Sequence, residues 1–242
     1  MAQTRLRVVG GRMITLRNPD RRERPIYTVD DAARFLAIPS STLYAWALGR
    51  AKTGSEDAYA PTLEHVDRYL RQLSFYDLVE AHILRATTEM KLPLRRVKQG
   101  LAFLKQFYPK LDRPLLALQF LTEGKNLLAR GLLQDESEQG GKLVNLSLHG
   151  QIEMEKLLDQ HLKLITRDAL GMPDTLYPKT GEHKISITPG LLSGRPVIDG
   201  TRIPTAIIAQ RFKAGEPPDD LATDYKLTRE AIEAALRYEK AA

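Results

Sequence analysis

Two arginines bracket an aspartate in Gly194-Arg195-Pro196-Val197-Ile198-Asp199-Gly200-Thr201-Arg202-Ile203-Pro204, the stretch whose residue types are best suited to gripping an anion. A guanidinium presents several N–H donors in a fixed plane and pairs bidentately with carboxylates and phosphates. Gly194 and Gly200 let the backbone turn, and Pro196 and Pro204 stiffen it again. Such a segment is a shaped loop that presents Arg195 and Arg202; a well-made turn leading into a helix at Pro204 accounts for the same pattern. Other chemistry is thinly represented. The five histidines, His65, His82, His149, His161 and His183, form no metal-binding spacing, and the chain has no cysteine, so zinc, disulfide and thiolate chemistry are not expected. Glu153, Glu155 and Asp159 share one short helical stretch, and Asp219, Asp220 and Asp224 another. Acids in that setting are ordinarily solvated or sit at helix starts. Gly124-Lys125 lacks the upstream glycines of a phosphate loop, and no serine nucleophile elbow is visible. The expectation is a binding protein and not an enzyme, with no catalytic residue, no metal and no cofactor.

A second group of residues suits a nucleic acid. The chain has 242 residues and a net charge of +6, and the excess is concentrated in residues 1–25, where Arg5, Arg7, Arg12, Arg17, Arg21, Arg22 and Arg24 face only Asp20 and Glu23. A basic arm lying along phosphates and a solvated tail both fit this pattern. Leu6, Val8, Ile14 and Leu16 alternate well enough to allow a hairpin around Gly10-Gly11. From Tyr27 the spacing predicts two helices. Thr28 caps the first, Asp30 and Asp31 suit its positive end, and Ala32, Ala33 and Leu36 form its inner face. Ile38-Pro39 breaks the chain, Ser40 or Ser41 restarts it, and Leu43 with Trp46 or Ala47 supplies the buried side of the second. This is helix-turn-helix spacing. The candidate DNA contacts are Thr28, Arg34, Ser40, Ser41, Thr42, Tyr44, Arg50 and Lys52, of which the small polar ones stand near the exposed start of the second helix. Residues 52–60, with Gly54 and Ser55, suit a following hairpin or wing, and a structural helical hairpin without DNA is the alternative.

Ser74 and Asp77 approximate a capping box ahead of Phe75, Leu78, Val79, Ile83, Ala86 and Met90 at helical spacing. Leu92-Pro93-Leu94 marks a break, after which Leu94, Val97, Leu101, Leu104 and Tyr108 keep one apolar face. The two helices are expected to pack antiparallel. Beyond Pro109, residues 116–121, 126–130 and 142–148 read as strands of a small antiparallel sheet, 151–161 as a helix, and 162–167 as a strand pairing with 175–177. In the tail, 185–188 reads as a strand, and helices are expected over 205–213, from Pro217-Pro218 to Tyr225, and after Thr228. No apolar run approaches the roughly 20 residues of a membrane span, so a cytoplasmic protein with no membrane partner is expected.

The D-x-A-x-x-L-x-I-P frame with Thr42-Leu43 and Trp46 resembles the winged helix-turn-helix of MerR-type regulators, a resemblance that extends to about residue 108. The I-x-I-x-P-x-x-x-x-G-R-P-V-I-x-G-T-R-I-P-T arrangement at 185–205, followed by A-G-E-x-P-x-x-L-x-x-D-Y-x-L-T-x-E-x-I-x-A-A-L, looks like the small C-terminal domain of VapB-like antitoxins. The fold class is α+β: mainly helical, with an N-terminal MerR-like winged helix-turn-helix, a small central antiparallel sheet and a C-terminal three-helix, homeodomain-like module. The division is a basic arm (1–25), a DNA-binding domain (26–110), a central region (111–180) and an antitoxin domain (181–242). The resemblance implies an antitoxin of a type II toxin-antitoxin system that neutralises a PIN-like ribonuclease toxin encoded in the same operon. It also implies binding of operator DNA, repression of its own operon, and a homodimer. A PIN-like nuclease holds Mg²⁺ with clustered carboxylates, so Arg195 or Arg202 would serve as a plug, with Gly194, Arg195, Pro196, Asp199, Thr201 and Arg202 as the toxin-binding set. The alternative is a ligand-responsive MerR-like transcription regulator with no toxin partner.

Overall fold

The computed structural model of the chain describes residues 5–9, 12–16, 20–49, 60–120, 124–133, 148–178 and 183–241. At the N-terminus β1 (Arg5–Val9) and β2 (Arg12–Leu16) pair antiparallel, with Val9 opposite Arg12. Arg22, in a 3-10 turn at Arg21–Glu23, pairs with Asp20 and with Asp168, both at 2.6 Å, so this member of the basic arm ties the chain start to the central region.

The helix-turn-helix forms as its caps require. After β3 (Tyr27–Thr28), the Thr28 hydroxyl accepts from the Asp31 N–H at 3.0 Å and opens α1 (Val29–Leu36). Ala37 adopts a left-handed conformation (φ 49°) that ends α1, and Ile38-Pro39 leads into α2 (Ser40–Leu48), which buries Leu43, Trp46 and Ala47. β4 (Gln72–Leu73) pairs antiparallel with β3. α3 (Phe75–Glu89) starts with a complete capping box between Ser74 and Asp77 and runs through the centre of the molecule, buried nearly all round.

α4 (Leu94–Phe107) follows the Leu92-Pro93 break, but the expected α3–α4 pairing does not hold. α4 packs chiefly against α6 (Gly124–Leu133), and α3 against α7 (Leu148–Leu162). The strands expected at 116–121 and 126–130 are corrected to helix: α5 (Pro114–Ala117) runs into a 3-10 turn at Leu118–Phe120, and α6 covers the second stretch. Leu128 and Ala129 of α6 are buried in the main core, a burial that helical packing supplies as well as a sheet would. Of the third expected strand, 142–147 lie outside the described residues and Leu148 begins α7. The sheet that does form in the central region is β5 (Ile165–Arg167) with β6 (Pro173–Leu176), joined through a turn at Gly171 (φ 77°).

β7 (Ile185–Ser186) and β8 (Val197–Ile198) pair in the tail, followed by α8 (Thr205–Lys213), α9 (Pro218–Tyr225) and α10 (Arg229–Ala241). One core runs from Tyr27 to Ile187 and joins the helix-turn-helix to the central region. A smaller one, built on Ile198, Ile208, Leu221, Ile232 and Tyr238, belongs to the tail. The fold is mainly helical with small two-stranded antiparallel sheets, and among the described residues no helix is long and apolar enough to cross a membrane.

Polar groups inside the main core make its stability depend on pH. The His82 Nε2 lies 3.2 Å from the His161 carbonyl, and the His161 Nε2 lies 3.1 Å from Glu89. His82 Nδ1 has no hydrogen-bond partner among the described residues. Burial holds His82 well below its usual 6.5 and lowers His161 too, outweighing the attraction of Glu89. The unfolded chain takes up protons near pH 6.5 that the folded chain refuses. The stability these two histidines contribute is therefore full above that pH and falls below it, by about 1.4 kcal/mol per pH unit for each refused proton. Denaturant titrations at pH 5.5 and 7.5 should show a smaller loss toward low pH for His161→Gln, which keeps a neutral donor toward Glu89, than for the wild-type chain, with the His82 part remaining.

Candidate nucleic-acid interface

Among the described residues no side chain caps the start of α2, and Ser40 and Ser41 stand exposed there. Uncapped N–H groups at a helix N-terminus favour an anion such as a backbone phosphate. Ser41, Thr42 and Ala45 line an open groove of about 440 Å³ whose other wall is the α3–α4 turn, with Thr88, Lys91 and Leu94. Tyr44 donates from its hydroxyl to Asp30 at 3.0 Å, and this bond to a carboxylate holds the phenol above its ordinary pKa. Thr28 is exposed but occupied as the cap of α1. Arg34 reaches Glu239 at 3.2 Å and Asp31 at 3.6 Å and stacks on Phe35, so its guanidinium faces the tail module. Arg50 and Lys52 lie outside the described residues, as does most of the 52–60 stretch expected to form a wing.

A hairpin turn that sequence reasoning passed over lies further on. Asp67 and Gln72 exchange both backbone hydrogen bonds, each 3.1 Å, and the Asp67 carboxylate accepts from the N–H groups of Tyr69 and Leu70. The turn pushes Tyr69 out to 94% exposure, between exposed Arg68 and Arg71. Arg71 lies near enough to the Tyr44 phenol of α2 to act on it electrostatically. Its signal in the sequence is the aspartate just ahead of an arginine-flanked Tyr-Leu pair, an Asx-turn composition.

The anion-gripping loop divides into a frame and a presented part. Gly194 (φ 73°) and Pro196 are buried, and the Gly194 backbone lies so close to Tyr27 that an added Cβ would come within 2.0 Å of the hydroxyl. Thr201 is tied into the turn, donating to the Ile198 carbonyl at 2.7 Å and accepting from the Ile203 N–H at 3.0 Å. Arg195, Asp199 and Arg202 are exposed, and neither arginine makes a hydrogen bond or ion pair among the described residues. Arg202 stands at the outer tip beside Gly200, whereas Arg195 lines a cleft toward α1.

The tail is docked on the helix-turn-helix. The Tyr238 hydroxyl donates to the Phe35 carbonyl at 2.9 Å, Arg34 pairs with Glu239, and Thr205 also bonds Glu239. Among the described residues no group of three or more His, Asp or Glu side chains is arranged to hold a metal ion.

Residues 25–101 match a family model described as "Putative DNA-binding HTH domain", and residues 185–238 one described as "Protein of unknown function (DUF433)". The chain is 26% identical over 227 residues to "Putative antitoxin VapB45" of Mycobacterium tuberculosis, covering 88% of this chain and 92% of that protein. Over most of its length it is thus similar to a protein that carries the name of a putative antitoxin. A second relative from the same organism, "Uncharacterized protein Rv2308", is 24% identical and covers 90% of this chain and 91% of its own length. In fold the chain is like the crystal structure of Rv2018 from Mycobacterium tuberculosis, with a TM-score of 0.61 at 20% identity, over 88% of this chain and 98% of that one.

Proposed function

We propose that this chain is an antitoxin that neutralises a PIN-like ribonuclease encoded beside it and represses its own operon. The observation that carries the reading is the colinear similarity to VapB45, which runs through both the helix-turn-helix and the tail module. On DNA, a homodimer sets the start of α2 into successive major grooves, with Ser40, Ser41 and Thr42 reaching base edges or phosphates. The Asp67–Gln72 turn lays Arg68 and Arg71 on the flanking backbone. Toward the toxin, Arg202 is the better-placed plug, since an arginine at a loop tip can enter the acidic pocket of a large partner.

Three measurements test it. Ser41→Glu puts a carboxylate where α2 favours an anion, and should weaken binding to the chain's own upstream DNA about tenfold or more. Arg68→Ala with Arg71→Ala should reduce the slope of log affinity against log salt by about 2, one for each phosphate no longer neutralised. Co-expression with the product of the adjacent reading frame should give a complex that does not cleave RNA, and Arg202→Ala, alone or with Arg195→Ala, should restore cleavage. Indifference of the wild-type chain both to its upstream DNA and to that neighbouring product defeats the proposal.

A further inference from the structure

Between the helix-turn-helix and the tail lies a cleft of about 500 Å³, within the range of small-ligand pockets, which favour domain interfaces. Ile26, Phe35, Pro196 and Ile207 give it apolar walls. Its charged lining is Asp31, Arg34, Glu239 and Arg195. Asp31 and Glu239 are both engaged by Arg34, and Glu239 also by Thr205, which leaves these three charges with one negative in excess. Arg195 makes no ion pair among the described residues; it brings the charged lining to neutral and is the one guanidinium there left open to a ligand.

The start of α8 forms part of the same wall through Thr205, Ala206 and Ile207. No side chain caps this nine-residue helix, and the Ala206 N–H has no acceptor among the described residues. A second observation is independent of the helix. Tyr27, only 3% exposed, also lines the cleft, and its hydroxyl has no hydrogen-bond partner among the described residues, although it sits beneath Gly194, whose chain neighbours Ser193 and Arg195 line the cleft too. A buried hydroxyl without a partner costs stability, and is expected where a bound group completes the site.

We propose that the cleft binds a small organic carboxylate with an apolar body. The carboxylate takes the Arg195 guanidinium and the Ala206 N–H at the start of α8, whose neighbours Thr205 and Ile207 already donate to Pro196 and Pro204, and the apolar body lies against Phe35 and Ile207. This places a ligand between the first and last modules of the chain, not in the central region.

The test titrates the full chain with octanoate and 4-phenylbutanoate, against 4-phenylbutanamide and inorganic phosphate, by calorimetry and by thermal shift. The expected result is saturable one-site binding of the carboxylates, weaker or absent for the amide and for phosphate. Arg195→Ala should weaken carboxylate binding about tenfold or more, the loss expected for one charge-assisted contact, without lowering the melting temperature of the free protein. Lys213→Ala, at the far end of α8, should change nothing. Tyr27→Phe should raise the melting temperature of the free protein by removing the unpaired hydroxyl, and should reduce the shift that the carboxylate produces. Equal binding of the amide, phosphate as tight as the carboxylates, full affinity in Arg195→Ala, or no carboxylate binding at millimolar concentration would each overturn the proposal.

Discussion

Arg113→Met is expected to cost the fold about 3–5 kcal/mol, the range for removing one partner of a buried ion pair. Arg113 reaches Asp77 at 2.8 Å and Glu80 at 2.6 Å, and both carboxylates are almost wholly buried on α3. Burial pushes Glu80 up to about 7 even with the guanidinium beside it, so desolvation outweighs the pairing. Without Arg113 the carboxyl must rise further. The unfolded chain keeps Glu80 near its ordinary 4.5, so the folded state holds a proton that the unfolded state releases, and stability is lost as pH rises from 4.5 through the folded value. The penalty of Arg113→Met should therefore be larger at pH 8 than at pH 5.5. Denaturant titration at the two values checks both the size and the sign. A penalty independent of pH would assign the loss to packing instead of charge. The Glu80 trend runs opposite to that of the buried histidines, so the two are separated by comparing Arg113→Met with His161→Gln.

Gly194→Ala should be nearly as damaging, about 2–5 kcal/mol, because two penalties combine. The backbone there sits at φ 73°, which costs an L side chain about 1–2 kcal/mol, and the new methyl would meet the Tyr27 hydroxyl at 2.0 Å, an overpacking worth about 1–3 kcal/mol more. The Tyr27→Phe background removes the nearest atom but leaves the ring carbon at 2.8 Å, so it should recover part of the loss and not all of it. Thermal unfolding of the two single variants and the double variant measures the coupling. Full additivity would mean that the loop and Tyr27 do not press on each other.

What is legible in the sequence is local. Thr28, Ser74 and Thr228 each carry a hydroxyl that meets a backbone N–H three residues on, and the helices after them begin where those residues are. Ile38-Pro39 marks the turn between α1 and α2 because the residue before a proline avoids helical backbone. The stretch that misleads is 116–130. Its leucines satisfy a strand alternation over a few residues and a helical stripe over more, and Gly124, which reads as part of a turn, is the first residue of α6. Which period wins is decided by α4, whose apolar side needs a helical partner there, and no short window contains that information. Arg34 reads as a DNA contact from its place on α1, and its pairing with Glu239, 205 residues away, is invisible to local pattern. The inter-module cleft is hidden for the same reason, since it depends on Tyr27 meeting Gly194 and on Phe35 meeting Tyr238.

The Phe35–Tyr238 bond bears on how the chain would age in a cell. The Phe35 carbonyl belongs to the final turn of α1, where helices leave oxygens without internal donors, and the hydroxyl that satisfies it comes from the last helix of the chain. A protease that trims α10 therefore strips the α1 end of its donor, and Arg34 of one of its two counter-ions, before it touches a single residue of the helix-turn-helix. Erosion of α10 is thus felt across the seam at the end of α1, although the head keeps its own core.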